Sequence, residues 1–111
     1  MKGTFLRFYV HEGQKRGGVL LYEWLLETAK KAGIPGGSAF RALAGYGRHG
    51  VLHEQHFFEL AGDLPVEVEF LLSEEQADRL LEALQRENVS LFYARSPAEF
   101  GTIGSESPAR G

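Results

Sequence analysis

The chain has 111 residues, the usual size of a single domain, and is long enough to bury a hydrophobic core without covalent cross-links. It has no cysteine, which excludes disulfides and thiolate metal sites, and its net charge of −3 argues against nucleic-acid binding. The apolar N-terminal stretch is short and contains Arg7, so we expect no signal peptide, no membrane insertion and a cytoplasmic location.

The first half of the chain has the pattern of a strand, a helix and a second strand. Hydrophobic residues alternate over 4–11, which indicates a strand with one buried face. After a glycine-containing loop at 13–18, the period changes to that of a helix over 19–32, and Pro35 prevents its continuation. A second strand is predicted over 38–47 and ends in a glycine-rich run.

The second half repeats this pattern after a long connection at 48–63. Alternating residues over 64–72 predict the third strand. Ser73 and Gln76 have the spacing of a capping box, which marks the start of a second helix. The last strand is predicted over 89–94.

The resulting order β-α-β-β-α-β is typical of a ferredoxin-like α+β sandwich, in which two helices cover one face of a four-stranded antiparallel sheet. We place this domain at residues 1–96. Residues 97–111 are rich in glycine, serine and proline, and we expect them to form a flexible C-terminal tail.

In this fold the second face of the sheet is left uncovered. The third strand is expected between the first and the second, so that its acidic residues lie beside the arginines of its neighbours. Phe5, Tyr9, Leu43 and Phe92 would form an exposed apolar patch on this face. Such a patch is generally covered by another chain, so we predict that this face is the interface of a symmetric homo-oligomer. Its predicted members are Phe5, Arg7, Tyr9, Arg41, Leu43, Glu67, Glu69 and Phe92.

The run Ala-Gly-Tyr-Gly-Arg-His-Gly at 44–50 resembles the pattern KGFGRQKG, which follows the second strand in the PII signalling proteins. The sequence resembles an uncharacterised PII-like branch, domain of unknown function 190, more closely. The shared features are a glycine-rich loop leading into Leu-Tyr-Glu (17–23), a Gly-Ile-x-Gly run (33–36), a second-strand arginine (Arg41), paired glycines (Gly45 and Gly47), a loop histidine (His53) and a third strand that begins Asp-Leu-Pro-Val (63–66).

The resemblance implies a PII-like homotrimer whose sheets pack inward and which binds an adenine nucleotide, or a related small anionic metabolite, in clefts between subunits. It also implies signalling to a protein or transporter target through the loop after the second strand. Gly45, Gly47, Arg48 and His49 match the base of that loop. Glycines let a phosphate approach the backbone, and an arginine offers it a fork of donors. The second phosphate-binding stretch of PII proteins has no counterpart at 85–91, where this chain lacks glycine and lysine.

Two further groups are candidate ligand sites. Lys15 and Arg16 precede the first predicted helix, whose free N–H groups favour an anion. His49, His53 and His56 have the spacing that places side chains on one face of a helix, and imidazoles grouped in this way bind zinc, copper or nickel. A metal-binding trimer of similar fold, like the divalent-cation tolerance proteins, is therefore the alternative to a PII-like regulator.

No group of residues predicts catalysis. The chain has no cysteine nucleophile, and Ser38, Ser73 and Ser90 are explained by turns and helix caps. We therefore expect no enzyme activity. The aromatic-glycine run distantly resembles an RNA-binding motif, but Glu67 and Glu69 occupy the strand that would carry the base-stacking aromatics, which disfavours an RNA-binding domain.

Overall fold

Strands and helices follow one another in the predicted β-α-β-β-α-β order, with a short hairpin added before the first helix. The computed structural model describes residues 1–45 and 64–104. Its strands are Lys2–His11 (β1), Lys15–Arg16 (β2), Val19–Leu20 (β3), Ser38–Arg41 (β4), Pro65–Leu72 (β5) and Phe92–Glu99 (β6). Its helices are Leu21–Lys31 (α1) and Glu74–Arg86 (α2).

The main sheet consists of four antiparallel strands in the order β4-β5-β1-β6. Strand β5 lies between β1 and β4, which confirms the prediction that the third strand of the fold stands between the first and the second. Strands β2 and β3 pair only with each other and form a separate hairpin in the described part of the chain. The fold is therefore the α+β ferredoxin-like arrangement predicted from the sequence.

One face of the main sheet is buried beneath the two helices. Side chains alternate along β1 and β5, so every second residue enters the core. Phe8 and Phe70 meet edge to face there, with ring centroids 6.2 Å apart. The buried hydrophobic residues of the sheet are Leu6, Phe8, Val10, Val66, Val68, Phe70 and Leu72, and those of the helices are Leu21, Leu25, Ala29, Ala77, Leu80 and Leu84. Burial of this apolar surface is the main term that stabilises the fold.

The two helices begin in different ways. At α2 the predicted capping box is present: Gln76 N donates to Ser73 Oγ at 3.1 Å, and Ser73 N donates to Gln76 Oε1 at 2.9 Å. No side chain among the described residues caps the start of helix α1, and Leu21 N instead donates to the carbonyl oxygen of Gln14 at 2.7 Å. Neither helix within the two described ranges is long and apolar enough to cross a membrane.

Two boundaries in the first half differ from the predictions. Helix α1 begins at Leu21 rather than at 19, because the two residues before it pair with β2. Strand β4 ends at Arg41, whereas the predicted strand continued to 47. The hydrogen bond from Ala42 N to Pro65 O, 2.8 Å long, extends the backbone contact with β5 by one residue beyond β4.

Strand β6 is longer than predicted. It runs from Phe92 to Glu99 rather than over 89–94. Pro97 lies opposite Thr4 within it, and proline is tolerated there because β6 is an edge strand of the described sheet. Residues 97–99, which the sequence assigned to the tail, therefore belong to the sheet.

Candidate functional site

The face of the main sheet that the helices leave uncovered carries aromatic and charged side chains, and we name it the open face. The strand registers place on it Phe5, Arg7, Tyr9, Ser38, Phe40, Glu67, Glu69, Leu71, Phe92, Ala94 and Ser96. Phe40 is 54% exposed, Leu71 47% and Phe92 44%. The rings of Tyr9 and Phe92 lie 5.6 Å apart. Six of the residues predicted for this face are on it, and their role in an interface stays a prediction.

Arg41 is not on the open face, so its predicted place there is wrong. Phe40 takes the open-face position in β4, and Arg41 lies opposite the buried Val66. The Arg41 guanidinium pairs with Glu12, with Nη2 2.8 Å from Oε2. Because side chains alternate with a period of two, an error of one residue in the phase of β4 moves its whole pattern to the other face. Leu43, also predicted here, lies beyond the end of β4 and is 98% exposed.

The charges of the open face are one guanidinium and two neighbouring carboxyls. Glu69 lies opposite Arg7 in the register, and Glu67 is on the same face of the same strand. Hydrogen bonding to the Glu67 carboxyl, partial burial and the charge of Glu67 raise the pKa of Glu69 to about 7, although Arg7 acts in the opposite sense. Near neutral pH a proton is therefore present on this carboxyl pair in a large fraction of the molecules.

The β2–β3 hairpin carries the predicted anion-binding residues Lys15 and Arg16. Lys15 is exposed. Arg16 is held in place, because its Nη2 donates to the carbonyl oxygen of Glu87 at 2.9 Å and to its Oε1 at 3.0 Å. The Arg16 guanidinium also stacks on Trp24, 4.6 Å from the ring centroid. Arg16 thus joins the hairpin to α1 and to the end of α2, and part of its hydrogen-bonding capacity is already used.

The base of the predicted ligand loop lies where the end of β1, the end of β4 and the start of β5 meet. Glu12 N donates to Leu64 O at 2.8 Å, which joins the end of β1 to the residue before β5. Gly45 is half-buried, and a Cβ added there would lie 3.3 Å from Pro65 Cγ, tighter than an ordinary contact. The other residues predicted for this loop lie outside the described residues, namely Gly47, Arg48, His49, His53 and His56.

The predicted metal site belongs entirely to that segment. His49, His53 and His56 lie outside the described residues, so the structure does not test whether they come together. Across residues 1–45 and 64–104, no group of three or more His, Asp or Glu side chains is placed to hold a metal ion. Metal binding therefore stays a prediction that depends on these three histidines.

Comparison with other sequences places most of the chain in one family. The profile of domain of unknown function 190, described as "Uncharacterized ACR, COG1993", matches residues 3–90. A UPF0166 protein of Aquifex aeolicus (strain VF5) is 38% identical over 85 residues, which cover 77% of this chain and 81% of that protein. A UPF0166 protein of Methanocaldococcus jannaschii is 36% identical over 84 residues, which cover 76% of this chain and 77% of that protein.

Solved PII-like proteins have the same fold. CPII, a nitrogen regulatory PII-like protein from Thiomonas intermedia K12, was solved bound to ADP and bicarbonate. It superposes with a TM-score of 0.66 at 21% identity, over 92% of this chain and 91% of that one. A PII-like signalling protein from Thermus thermophilus gives a TM-score of 0.58 at 20% identity, over 87% of each chain. At these identities the likeness establishes a PII-like fold.

Proposed function

The chain belongs to the family of domain of unknown function 190, and from this membership and its PII-like fold we propose that it is a regulatory protein rather than an enzyme. It is a cytoplasmic homotrimer that binds an adenine nucleotide, or a related small anionic metabolite, in the clefts between subunits. Binding alters the loop after the second strand, and this loop acts on a protein or transporter target.

The likeness to a nucleotide-bound PII-like protein carries this proposal. CPII, which was solved with ADP, matches 92% of the chain at the level of fold. In this chain the glycine run at 44–50 begins just after β4, at the base of the predicted ligand loop. The glycines of that run let a phosphate group approach the backbone closely, and its single arginine can donate several hydrogen bonds to the phosphate oxygens.

We assign the main phosphate contact to Arg48 rather than to Arg16. A phosphate at Arg16 would compete with the two hydrogen bonds to Glu87 and with the stacking on Trp24. Arg48 is the only arginine in the glycine run, and Gly45, Gly47 and His49 flank it. The exposed Lys15 is available as a second positive charge, without the planar fork of an arginine.

The open face supports the homotrimer. Its side chains Tyr9, Phe40, Leu71 and Phe92 are between 36% and 54% exposed, and several large exposed apolar side chains on one face favour an interaction surface. When one surface of a protomer contacts a different surface of the next, the copies form a closed ring if the rotation between successive protomers returns to the first one. Burial of the open face between three copies would remove these apolar side chains from water.

A thermal-shift measurement with ADP tests the proposal. A ligand at a hundred times its Kd adds about 2.7 kcal/mol to the free energy of unfolding. In a domain of this size that change raises the Tm by roughly 10 °C. Adenosine is the matched control, because it keeps the base and ribose but lacks the phosphates that Arg48 would contact.

A Tm raised by ADP or AMP and unchanged by adenosine is the expected result. If ADP, AMP, ATP and cyclic AMP all leave the Tm unchanged, nucleotide binding would be contradicted.

The same thermal-shift screen with zinc, nickel and copper ions tests the second candidate function, a metal-binding trimer. The spacing of His49, His53 and His56 favours this candidate. A metal-dependent rise in Tm that a chelator reverses and that His53→Ala abolishes would favour the metal-binding trimer.

A further inference from the structure

We propose that Arg7 of one protomer pairs with the Glu67 and Glu69 carboxyls of a neighbouring copy of this chain, so that the open face is complementary in charge to itself. The inference rests on the proposed homotrimer and names the contact that gives its interface a defined register. In a closed ring each protomer gives its Arg7 to one neighbour and receives an Arg7 from the other.

Arg7 forms no ion pair within the described part of its own chain. None of the three ion pairs among residues 1–45 and 64–104 includes it. Its guanidinium instead stacks on Phe5, 4.8 Å from the ring centroid, and its Nε is buried without a hydrogen-bond partner in the same ranges. Arg7 as a whole is only half-buried, so a carboxylate that a second chain brings to the rest of its guanidinium would add a stabilising charge-assisted hydrogen bond.

Glu67 and Glu69 supply matching acceptors. They are two residues apart on β5, both on the open face, and neither belongs to an ion pair among the residues that the structure describes. Their hydrogen bond and mutual repulsion raise the pKa of Glu69 to about 7, although Arg7 of the same chain lies opposite in the register. A guanidinium placed between the two carboxyls would let both ionise, because a nearby opposite charge favours the charged form.

The neighbouring strands bring no other charged group to the described part of the open face. Strand β4 contributes Ser38 and Phe40 to it, and β6 contributes Phe92, Ala94 and Ser96. The other titratable side chains of β1 on this face are Tyr9 and, at the strand end, His11. An uncharged apolar partner would desolvate the arginine and the carboxyl pair without neutralising either. A second copy brings both charges, which is why we commit to this chain as the occupant.

Charge-reversal variants, mixed in pairs, test the contact. Arg7→Glu alone should raise the dissociation constant of the oligomer at least about tenfold, because each junction then joins like charges. The double variant Glu67→Lys with Glu69→Lys should do the same. Mixed in equal amounts, the two variants should form oligomers again, because two of the three junctions in every mixed trimer join opposite charges. Sedimentation velocity with one variant fluorescently labelled measures both effects.

Arg95→Glu is the matched control. Arg95 is on β6 opposite the buried Leu6, on the helix-covered side of the sheet, and pairs with Asp78 at 3.0 Å. Circular dichroism of every variant verifies that it folds. A wild-type monomer would overturn the homotrimer and this contact together. A wild-type oligomer in which Arg7→Glu assembles as tightly as Arg95→Glu would overturn the contact alone.

The direction in which the dissociation constant of the oligomer changes with pH is an independent test of this contact. In the free protomer the pKa of Glu69 is about 7, and a neighbour's guanidinium would lower it. Assembly then releases protons, so the stabilisation is present above that pKa and is lost as the pH falls below it. The dissociation constant should fall severalfold as the pH rises from about 6 to 8, and Glu69→Gln should remove this change.

A dissociation constant that rises as the pH rises would overturn the contact. Burial of Glu69 against apolar groups without a guanidinium raises its pKa, so assembly would take up protons and the wild-type oligomer would weaken as the pH rises. A slope that is unchanged in Glu69→Gln would also overturn it, because the titrating group would then be a different one.

Discussion

Replacing Tyr9 by aspartate is expected to convert the homotrimer to a folded monomer of 12.3 kDa. Tyr9 lies opposite Glu67 on the open face, and its ring is 5.6 Å from that of Phe92. Aspartate would remove the aromatic contact and add a carboxylate next to Glu67. An unpaired charge buried by assembly costs about 3–5 kcal/mol, which is enough to dissociate a complex of micromolar affinity. Light scattering at micromolar concentration measures the mass.

Ile103→Asp is the control for this variant, because it introduces the same side chain in place of an apolar residue that is 99% exposed. It should keep the wild-type mass. Dissociation of Tyr9→Asp alone would place the open face in the interface. An unchanged mass for Tyr9→Asp would exclude the open face as the surface of association.

Arg48→Ala is expected to weaken adenine-nucleotide binding about tenfold to a hundredfold, because a charge-assisted hydrogen bond contributes about 1.5–3 kcal/mol. Arg48 is the only arginine in the glycine run at 44–50. Arg48→Lys should restore part of the affinity, since lysine keeps the charge but loses the planar fork of donors. Calorimetric titration of the three proteins with ADP measures the affinities.

Arg79→Ala serves as the control for loss of an arginine, since Arg79 is exposed on α2. It should bind ADP as the wild type does. Equal affinities for the wild type, Arg48→Ala and Arg48→Lys would remove Arg48 from the site. The interpretation of Gly-Tyr-Gly-Arg-His-Gly as a phosphate-binding run would then lose its main support.

Strong periodicity explains why most of the fold is predictable from the sequence. In β5, the buried Val66, Val68 and Phe70 alternate with half-buried acidic residues, and this pattern alone defines the strand and its core face. Ser73 and Gln76 define the start of α2 in the same way. Local preference and burial agree in these segments, so the sequence predicts them without knowledge of the tertiary structure.

Short elements are harder to predict, for a physical reason. Strands β2 and β3 have two residues each, too few to show any period. Strand β4 has four, and its phase is set by pairing with β5 rather than by its own composition. Phe40, a hydrophobic residue that local sequence would bury, is therefore on the open face, and Arg41 is on the other. Strict alternation from Glu69 does predict Leu71 on the open face.

Contacts between distant residues account for the rest of the site. Arg16 bonds to Glu87, 71 positions later, and no local motif links the two. The sequence alone therefore predicts Arg16 as an anion ligand without revealing the two hydrogen bonds to Glu87, and its role at an anion site stays a prediction. The carboxyl pair is a different case, because two acids separated by one residue in a strand must share a face. The raised pKa of Glu69 is not predictable in this way, because it depends first on the hydrogen bond to the Glu67 carboxyl and then on partial burial in the folded sheet.

Native mass spectrometry in the presence of ADP tests the central proposal most directly, because it measures assembly and nucleotide binding on the same particle. We expect a particle with the mass of three 12.3 kDa chains that carries bound ADP. We also expect Arg48→Ala to keep this mass but to lose ADP at the concentration that saturates the wild type. A particle with the mass of one chain, or a trimer without nucleotide even at millimolar ADP, would contradict the proposal.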